Sequence, residues 1–187
     1  MAEFEVLGTR YPLAFTIRVV EKVCERYGSL ENFDNLAKER TDIELLKEYI
    51  WVLREMMLGA AAKISMEKGS DIADIPDLER LYDVLEWGSY PRILKAVNSC
   101  LVSDSERTVE AEEDPKAAKK RKSRAEIELN SAWLLYYLVN IGFAKAEALN
   151  LRMGEAFDYI ACHQISNIEG IRQKRRLTAD DILPDIP

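Results

Sequence analysis

Histidine is almost missing from this chain, and its scarcity excludes several kinds of catalytic site. The single residue His163 cannot build a multi-histidine metal site or most histidine-based catalytic triads. Its neighbour Cys162 points about 100° away around a helix, so the two side chains cannot pair locally. Glycine is sparse as well, and none of the 8 glycines stands in a phosphate-binding frame. We therefore expect a non-enzymatic protein with no catalytic residue, no metal site and no cofactor.

The chain also lacks a long apolar run and a cysteine pattern typical of secreted proteins. Its longest apolar stretch, Ala132–Ile141, is too short to span a membrane, and the N-terminal residues show no signal-peptide core. The three cysteines, Cys24, Cys100 and Cys162, are far apart in helical patterns. An odd number of isolated cysteines favours buried, free thiols and a cytoplasmic location.

Charge is abundant but unbalanced. The 33 acidic residues exceed the 26 basic ones, which gives a net charge of -7. This balance argues against a general attraction to nucleic acid or to anionic membranes. The hydrophobic content of 48% is normal for a globular protein and allows a core to form.

Residues 103–125 have no apolar periodicity and predict a charged, flexible linker. Their central part, DSERTVEAEEDPKAAKKRKSR, changes from acidic to basic around Pro115. Such a composition buries too little apolar surface to offset the entropy of ordering the backbone. Two other interpretations stay open for the basic half, 116–124: a nucleic-acid or nuclear-localisation patch, or an extension of the following helix.

The predicted fold class is mainly α: a small helical bundle with a short N-terminal β element, the charged linker, and a second small helical domain. Residues 1–102 form the first domain, with a turn at Gly8-Thr9, a helix that ends at Gly28, and a cap at Ser29. A capping box at Thr41 opens the longest helix, which ends at Gly69. Helices over Asp77–Trp87 and from Tyr90 to about residue 102 complete this domain.

Residues 126–176 form the second predicted domain. One helix ends at Gly142, a short helix covers Ala144–Leu149, and another runs from Met153 to about Ile171. This order resembles a helix-turn-helix, but the first turns of its last helix offer Glu155 and Asp158, which disfavours DNA reading. We expect the remaining residues, 177–187, to be a disordered tail.

The longest helix, Thr41–Lys68, is apolar on more than one side, so it must be buried on two sides. Either its own domain covers both sides, or a second polypeptide covers one of them; the sequence leaves both interpretations open. If a partner binds here, the residues that we expect to line the groove combine apolar anchors with one guanidinium. They are Ile50, Trp51, Arg54, Met57, Leu58 and Ala61.

Two segments resemble the tail assembly chaperones of long-tailed phages and prophages. The first is YPLAFTIRVVEKVCERYGSLENF, followed by a capped long helix containing WVLREMMLGAA; the second is WLLYYLVNIGFAKAEALNLRMGEAFDYI after the charged hinge. The resemblance implies a chaperone in the bacterial cytoplasm that binds and solubilises the tape measure protein. It also implies a long form, usually made by ribosomal frameshifting, whose C-terminal extension helps to recruit tail tube protein. Because lysine codons are rich in adenine and suit slippage, we expect the join near Lys119-Lys120. A homo-oligomer is possible.

A DNA-binding phage or regulatory protein is the alternative function. Its phosphate contacts would come from the two basic segments, 116–124 and 172–176. Because phosphate-driven binding weakens steeply with added salt, a salt titration distinguishes the two functions.

Overall fold

A β-hairpin, eight α-helices and a second, very short sheet make up the described part of the chain. The computed structural model describes residues 2–39, 43–69, 74–114 and 130–174. The elements are β1 (Ala2–Val6), β2 (Thr9–Leu13), α1 (Ile17–Tyr27), α2 (Leu30–Glu39), α3 (Ile43–Lys68), α4 (Leu78–Val84), a 3-10 turn (Trp87–Ser89), α5 (Tyr90–Ser105), β3 (Ala111–Glu113), α6 (Ser131–Asn140), α7 (Lys145–Asn150), α8 (Met153–Asn167) and β4 (Ile171–Gln173). The predicted fold class, mainly α with a short N-terminal β element, is confirmed.

The N-terminal hairpin is closed by a tight turn at Leu7 and Gly8. Both residues have positive φ, 50° and 78°, as a two-residue hairpin turn of the I′ type requires. The antiparallel register pairs Phe4 with Tyr11 and Val6 with Thr9. Because side chains alternate across a strand, Phe4, Val6 and Tyr11 all face the core.

The predicted boundary between the first two helices is confirmed. Gly28 adopts a positive φ of 84° and its N–H donates to the carbonyl of Cys24 at 2.8 Å, which ends α1. The hydroxyl of Ser29 then accepts from the N–H of Asn32 at 3.1 Å at the start of α2. Thr41, the predicted cap of the long helix, lies outside the described residues.

Helix α3 runs through the centre of the protein. It contacts β2, α1, α4, α5 and α7, so its own chain covers it on several sides. Gly59 allows a close approach of the chain before α1: a Cβ there would lie 2.9 Å from a methyl of Val19 and 3.1 Å from the carbonyl oxygen of Ala14. The apolar excess that the sequence shows in this helix therefore belongs largely to the internal core.

The second helical block packs directly against the first. The N–H of Ile17 donates to the carbonyl of Leu151 at 2.9 Å, and the N–H of Met153 donates to the carbonyl of Phe15 at 3.2 Å. Helix α6 contacts α1, and α8 contacts α5. Leu134 and Leu138 belong to the same cluster of buried side chains as the first block. The assignment of residues 1–102 and 126–176 to separate domains stays a prediction, but the two blocks share one core.

The first part of the predicted linker has defined structure. Ser103–Ser105 end α5, and Asp104 is buried, where its carboxylate accepts from the N–H of Phe15 at 2.7 Å. Beyond the helix, Asp158 accepts from the backbone N–H groups of Thr108 and Val109. Polar groups of residues 104–109 therefore have partners on distant elements, and the charged, flexible linker over residues 103–125 stays a prediction. The rest of the predicted linker, 115–125, and the predicted tail, 177–187, lie outside the described residues.

Two expectations need correction. The last helix ends at Asn167 and is followed by strand β4, which pairs antiparallel with β3. The three cysteines are free as predicted, but Cys162 is exposed and Cys24 half-buried, so only Cys100 is fully buried. Within the described ranges, no helix combines the length and apolar character needed to cross a bilayer.

Candidate protein-binding surface

The six residues predicted to line a groove do not form one open surface. Ile50, Trp51 and Met57 are buried in the core, with Trp51 only 9% exposed. The other three, Arg54, Leu58 and Ala61, are half-buried. In this conformation, other parts of the same chain cover the apolar side chains of this set. Its role in partner binding stays a prediction that would require α3 to be uncovered.

A charged cluster covers the outer edge of Trp51. The guanidinium of Arg26 lies 4.6 Å from the Trp51 ring centroid and pairs with Glu48 at 2.7 Å. The hydroxyl of Tyr27 also donates to Glu48. Burial, with the neighbouring Glu48 carboxylate, raises the pKa of Tyr27 well above its usual range. The phenol therefore stays protonated and acts as a hydrogen-bond donor.

Arg54 is likewise committed to its own chain. Its Nε donates to the carbonyl of Pro76 at 3.0 Å, which ties α3 to the segment that leads into α4. Its Nη1 lies 3.7 Å from the carboxylate of Glu55. Burial raises the pKa of Glu55, and the charge of Arg54 opposes that change. The predicted guanidinium therefore has an internal, structural role in this conformation.

Helix α6 presents the clearest exposed apolar face among the described residues. Its sequence, SAWLLYYLVN, contains no charged residue, yet only Leu134 and Leu138 are buried. Ala132, Tyr136 and Val139 lie at i, i+4 and i+7 on the opposite side, with Tyr136 70% and Val139 47% exposed. We call these three residues the α6 face. A helix that is apolar on all sides is normally buried on all sides. The α6 face is therefore an apolar surface that nothing in the described residues buries.

Aromatic contacts connect the flank of α6 to α8. The rings of Trp133 and Tyr137 lie 5.2 Å apart, and Tyr137 meets His163 of α8 edge-on at 5.9 Å. After the turn at Gly142, Phe143 makes an edge contact with Tyr159 at 4.8 Å. These contacts hold α6 in place while its outer side remains exposed.

An apolar cavity of about 190 Å³ lies between α1, α2, α3 and α5. Its walls are mainly aliphatic and aromatic: Phe15, Val23, Leu30, Phe33, Tyr49, Val52, Asn98 and Leu101. Its volume is comparable to that of engineered apolar cavities of roughly 150 Å³ that bind benzene, so it has room for one small aromatic ring.

The described cations of the second basic segment already have acidic partners. Arg172 pairs with Glu112 at 2.9 Å and Lys174 with Glu110 at 2.7 Å, both across the β3–β4 sheet. Arg175, Arg176 and the segment 116–124 lie outside the described residues.

Sequence reasoning missed the α6 face, although its signal was present in the sequence. A helix with ten consecutive uncharged residues is expected to pack against other structure on all its sides. The apolar stripe alone predicts packing on one side only. Among the residues described, no group of three or more histidine, cysteine, aspartate or glutamate side chains is arranged to hold a metal ion. No protein-family model, no curated protein and no solved structure matches this chain significantly.

Proposed function

We propose that this protein is a non-enzymatic chaperone of phage or prophage tail assembly in the bacterial cytoplasm. In this proposal it binds and solubilises the tape measure protein and helps to recruit tail tube protein. The named partners come from the resemblance of the sequence to that class of chaperones. The observation that carries a protein-binding role is the α6 face, an exposed apolar surface on a helix without charged residues.

The physical logic of the proposal is the burial of apolar helical surface on both partners. A long helical partner that exposes apolar stripes gains solubility when these stripes lie against a complementary helix. The α6 face supplies an aromatic and a β-branched side chain, and burying each contributes roughly 1–2 kcal/mol. The surrounding chain is acidic, with a net charge of -7, which keeps such a complex soluble.

Co-expression with a tape measure protein, the partner named in the proposal, tests it. We expect the wild-type chain to raise the soluble yield of that partner and to co-purify with it. The double variant Tyr136→Gln/Val139→Gln keeps good helix formers but removes the apolar surface, so it should lose most of the partner. Leu7→Asn, at an exposed apolar side chain in the hairpin turn, is the matched control and should retain it.

Two results would contradict the proposal. The first is a wild-type chain that neither solubilises nor retains the partner. The second is a double variant that captures as much partner as the wild type, which would exclude the α6 face. DNA binding through residues 116–124 and 172–176 stays a prediction, and no described residue favours it. A duplex shift that disappears with added salt would support it.

A further inference from the structure

An open groove of about 500 Å³ lies between the N-terminal hairpin and α5. Residues 2–5 of β1 line one side of it. The other side is lined by residues of α5 that lie at i, i+3, i+4 and i+7, on one face of that helix: Arg92, Lys95, Ala96 and Ser99. We call this space the β1–α5 groove.

The edge of β1 that faces away from β2 has unpaired backbone groups. Because the hairpin turn has two residues, the flanking pair Val6–Thr9 is hydrogen-bonded, and such pairs alternate along an antiparallel ladder. Glu3 and Glu5 fall at the alternate positions, so their N–H and C=O groups point away from β2. Pro12, which has no N–H to donate, stands opposite Glu3 and fits this alternation. No backbone group within the described ranges pairs with this edge, so it can accept a further strand.

Two cations on the α5 side of the groove lack acidic partners. Arg92 and Lys95 are exposed, and neither forms an ion pair with a described residue. The guanidinium carbon of Arg92 lies 5.5 Å from the ring centroid of Phe4, which keeps this cation beside β1. Because side chains alternate along β1, Glu3 and Glu5 lie on the face of the strand opposite to Phe4. A strand in the groove would therefore turn one face toward two cations and the other toward the side of the two glutamates.

We propose that the β1–α5 groove binds an extended acidic segment of another polypeptide, which adds to β1 as a third strand. The backbone of this segment pairs with the free N–H and C=O groups of Glu3 and Glu5, as in other cases of strand addition. Two carboxylates, two residues apart in the segment, face α5 and bind Arg92 and Lys95. The residues between them face the side of the two glutamates and are therefore uncharged or basic. This site is separate from the α6 face and does not depend on the proposed function.

A second copy of β1 fits this groove poorly. Pairing β1 with β1 would bring Glu3 and Glu5 opposite the same carboxylates of the other copy, and like charges directly opposite each other destabilise a sheet. The other face of the second strand would bring apolar side chains, rather than carboxylates, to Arg92 and Lys95. Charged residues on an edge strand commonly prevent such self-pairing. The charges of the groove therefore favour a different polypeptide.

Titration of the full-length chain with a short peptide tests strand addition. The probe is acetyl-TETET-amide, whose two glutamates face the same side of a strand; acetyl-TQTQT-amide is the neutral control, and TETET with methylated backbone nitrogens is the control for backbone pairing. NMR follows the amides of Glu3 and Glu5, which should shift and exchange more slowly with solvent once they gain acceptors. For so short a peptide we expect a Kd on the order of 1 mM, and binding at least roughly fivefold weaker for each control. Equal binding of either control, or no saturable shift at Glu3 and Glu5, would overturn the proposal.

Variants of the two cations test the charge preference. Arg92→Gln/Lys95→Gln should weaken TETET about fivefold or more, because two exposed ion pairs of modest strength are lost. Arg80→Gln/Lys145→Gln removes two exposed cations that do not line the groove and should leave the Kd unchanged. Arg92→Glu/Lys95→Glu should reverse the preference, so that acetyl-TKTKT-amide binds more tightly than TETET. A reversed variant that still prefers TETET would contradict the assignment of the carboxylates to these two residues; the Tm of each variant checks that it is folded.

Sedimentation of the full-length chain distinguishes a second copy from a different polypeptide. A chain that binds TETET without a change in its own oligomeric state supports the proposal. An oligomer that TETET dissociates would overturn it and assign the β1 edge to a second copy. The titration needs no tail protein, so its failure leaves the proposed function standing, and a failure of partner capture leaves the peptide result unaffected.

Discussion

Gly154, where α8 begins, lies very close to the backbone at the end of α5. A Cβ on this residue would lie 2.0 Å from the carbonyl oxygen of Glu106, 2.9 Å from its carbonyl carbon and 3.2 Å from the carbonyl oxygen of Asp104. All three atoms belong to the backbone, so no side-chain rotation relieves the clash. Gly154→Ala must therefore move one helix away from the other.

The expected magnitude follows from two opposing effects. Replacing glycine by alanine in a helix normally stabilises it by up to about 1 kcal/mol, while forcing extra atoms into a packed site costs about 1–3 kcal/mol and sometimes more. A contact of 2.0 Å with backbone is at the severe end, so we expect a net loss of about 2 kcal/mol or more. For a chain of this size that lowers Tm by roughly 4–8 °C.

Urea and thermal unfolding of three glycine variants test this reasoning as a series. Gly88→Ala meets no atom within 4 Å and should change the free energy of unfolding by less than about 0.5 kcal/mol. Gly59→Ala meets Val19 at 2.9 Å and should fall between the other two variants. If Gly154→Ala is as stable as the wild type, α8 does not pack against the end of α5 as described.

Three further predictions follow from single sites. Leu7→Asn should stabilise the protein by about 0.5–1 kcal/mol in urea unfolding, because asparagine tolerates the positive φ of 50° better than leucine; a loss of stability would contradict the I′ turn. Asp104→Asn should lower the free energy of unfolding by about 2–4 kcal/mol, because it removes the charge that lies 3.5 Å from the half-buried Arg152 and weakens the acceptor for the Phe15 N–H. An unchanged Tm would refute that role of Asp104. Burial and then the nearby Asp104 raise the pKa of Cys100 to about 12 from 9.0, so the protonated thiol contributes its full stability below pH 9 and loses it as pH rises toward 12. A Cys100→Ala variant should therefore lose less stability than the wild type between pH 8 and pH 11. An equal loss in the two proteins would contradict this assignment.

Local chemistry made the boundaries of several elements predictable. The positive φ at Gly28 and the hydroxyl cap of Ser29 depend only on residues a few positions away, and both are found where the sequence places them. Asp77, at the start of the predicted fourth helix, accepts from the N–H of Arg80 at 2.8 Å as an N-cap. Such signals depend on residues within one or two helical turns, so the local sequence predicts them without knowledge of the rest of the fold.

The features that the sequence did not predict depend on packing between residues far apart along the chain. The polar residues from Asp104 to Val109 resemble a linker in sequence because their partners, Phe15 and Asp158, are far away along the chain. The apolar sides of α3 looked like a partner surface because nothing local shows that β2, α5 and α7 cover them. Exposure of the α6 face is likewise a result of assembly, since it depends on which side of α6 turns toward α1 and α8.

The backbone pairing of Phe15 and Ile17 with Met153 and Leu151 has a consequence for how the chain matures during synthesis. The ribosome delivers Phe15 and Ile17 early and Leu151 and Met153 long afterwards, so the Phe15 carbonyl and the Ile17 N–H lack these partners until most of the protein has emerged. Contacts so distant in sequence slow folding and leave apolar surface open in the meantime. A nascent or prematurely terminated chain that stops before residue 130 would lack Leu134 and Leu138, and its first helices would have to find that cover elsewhere.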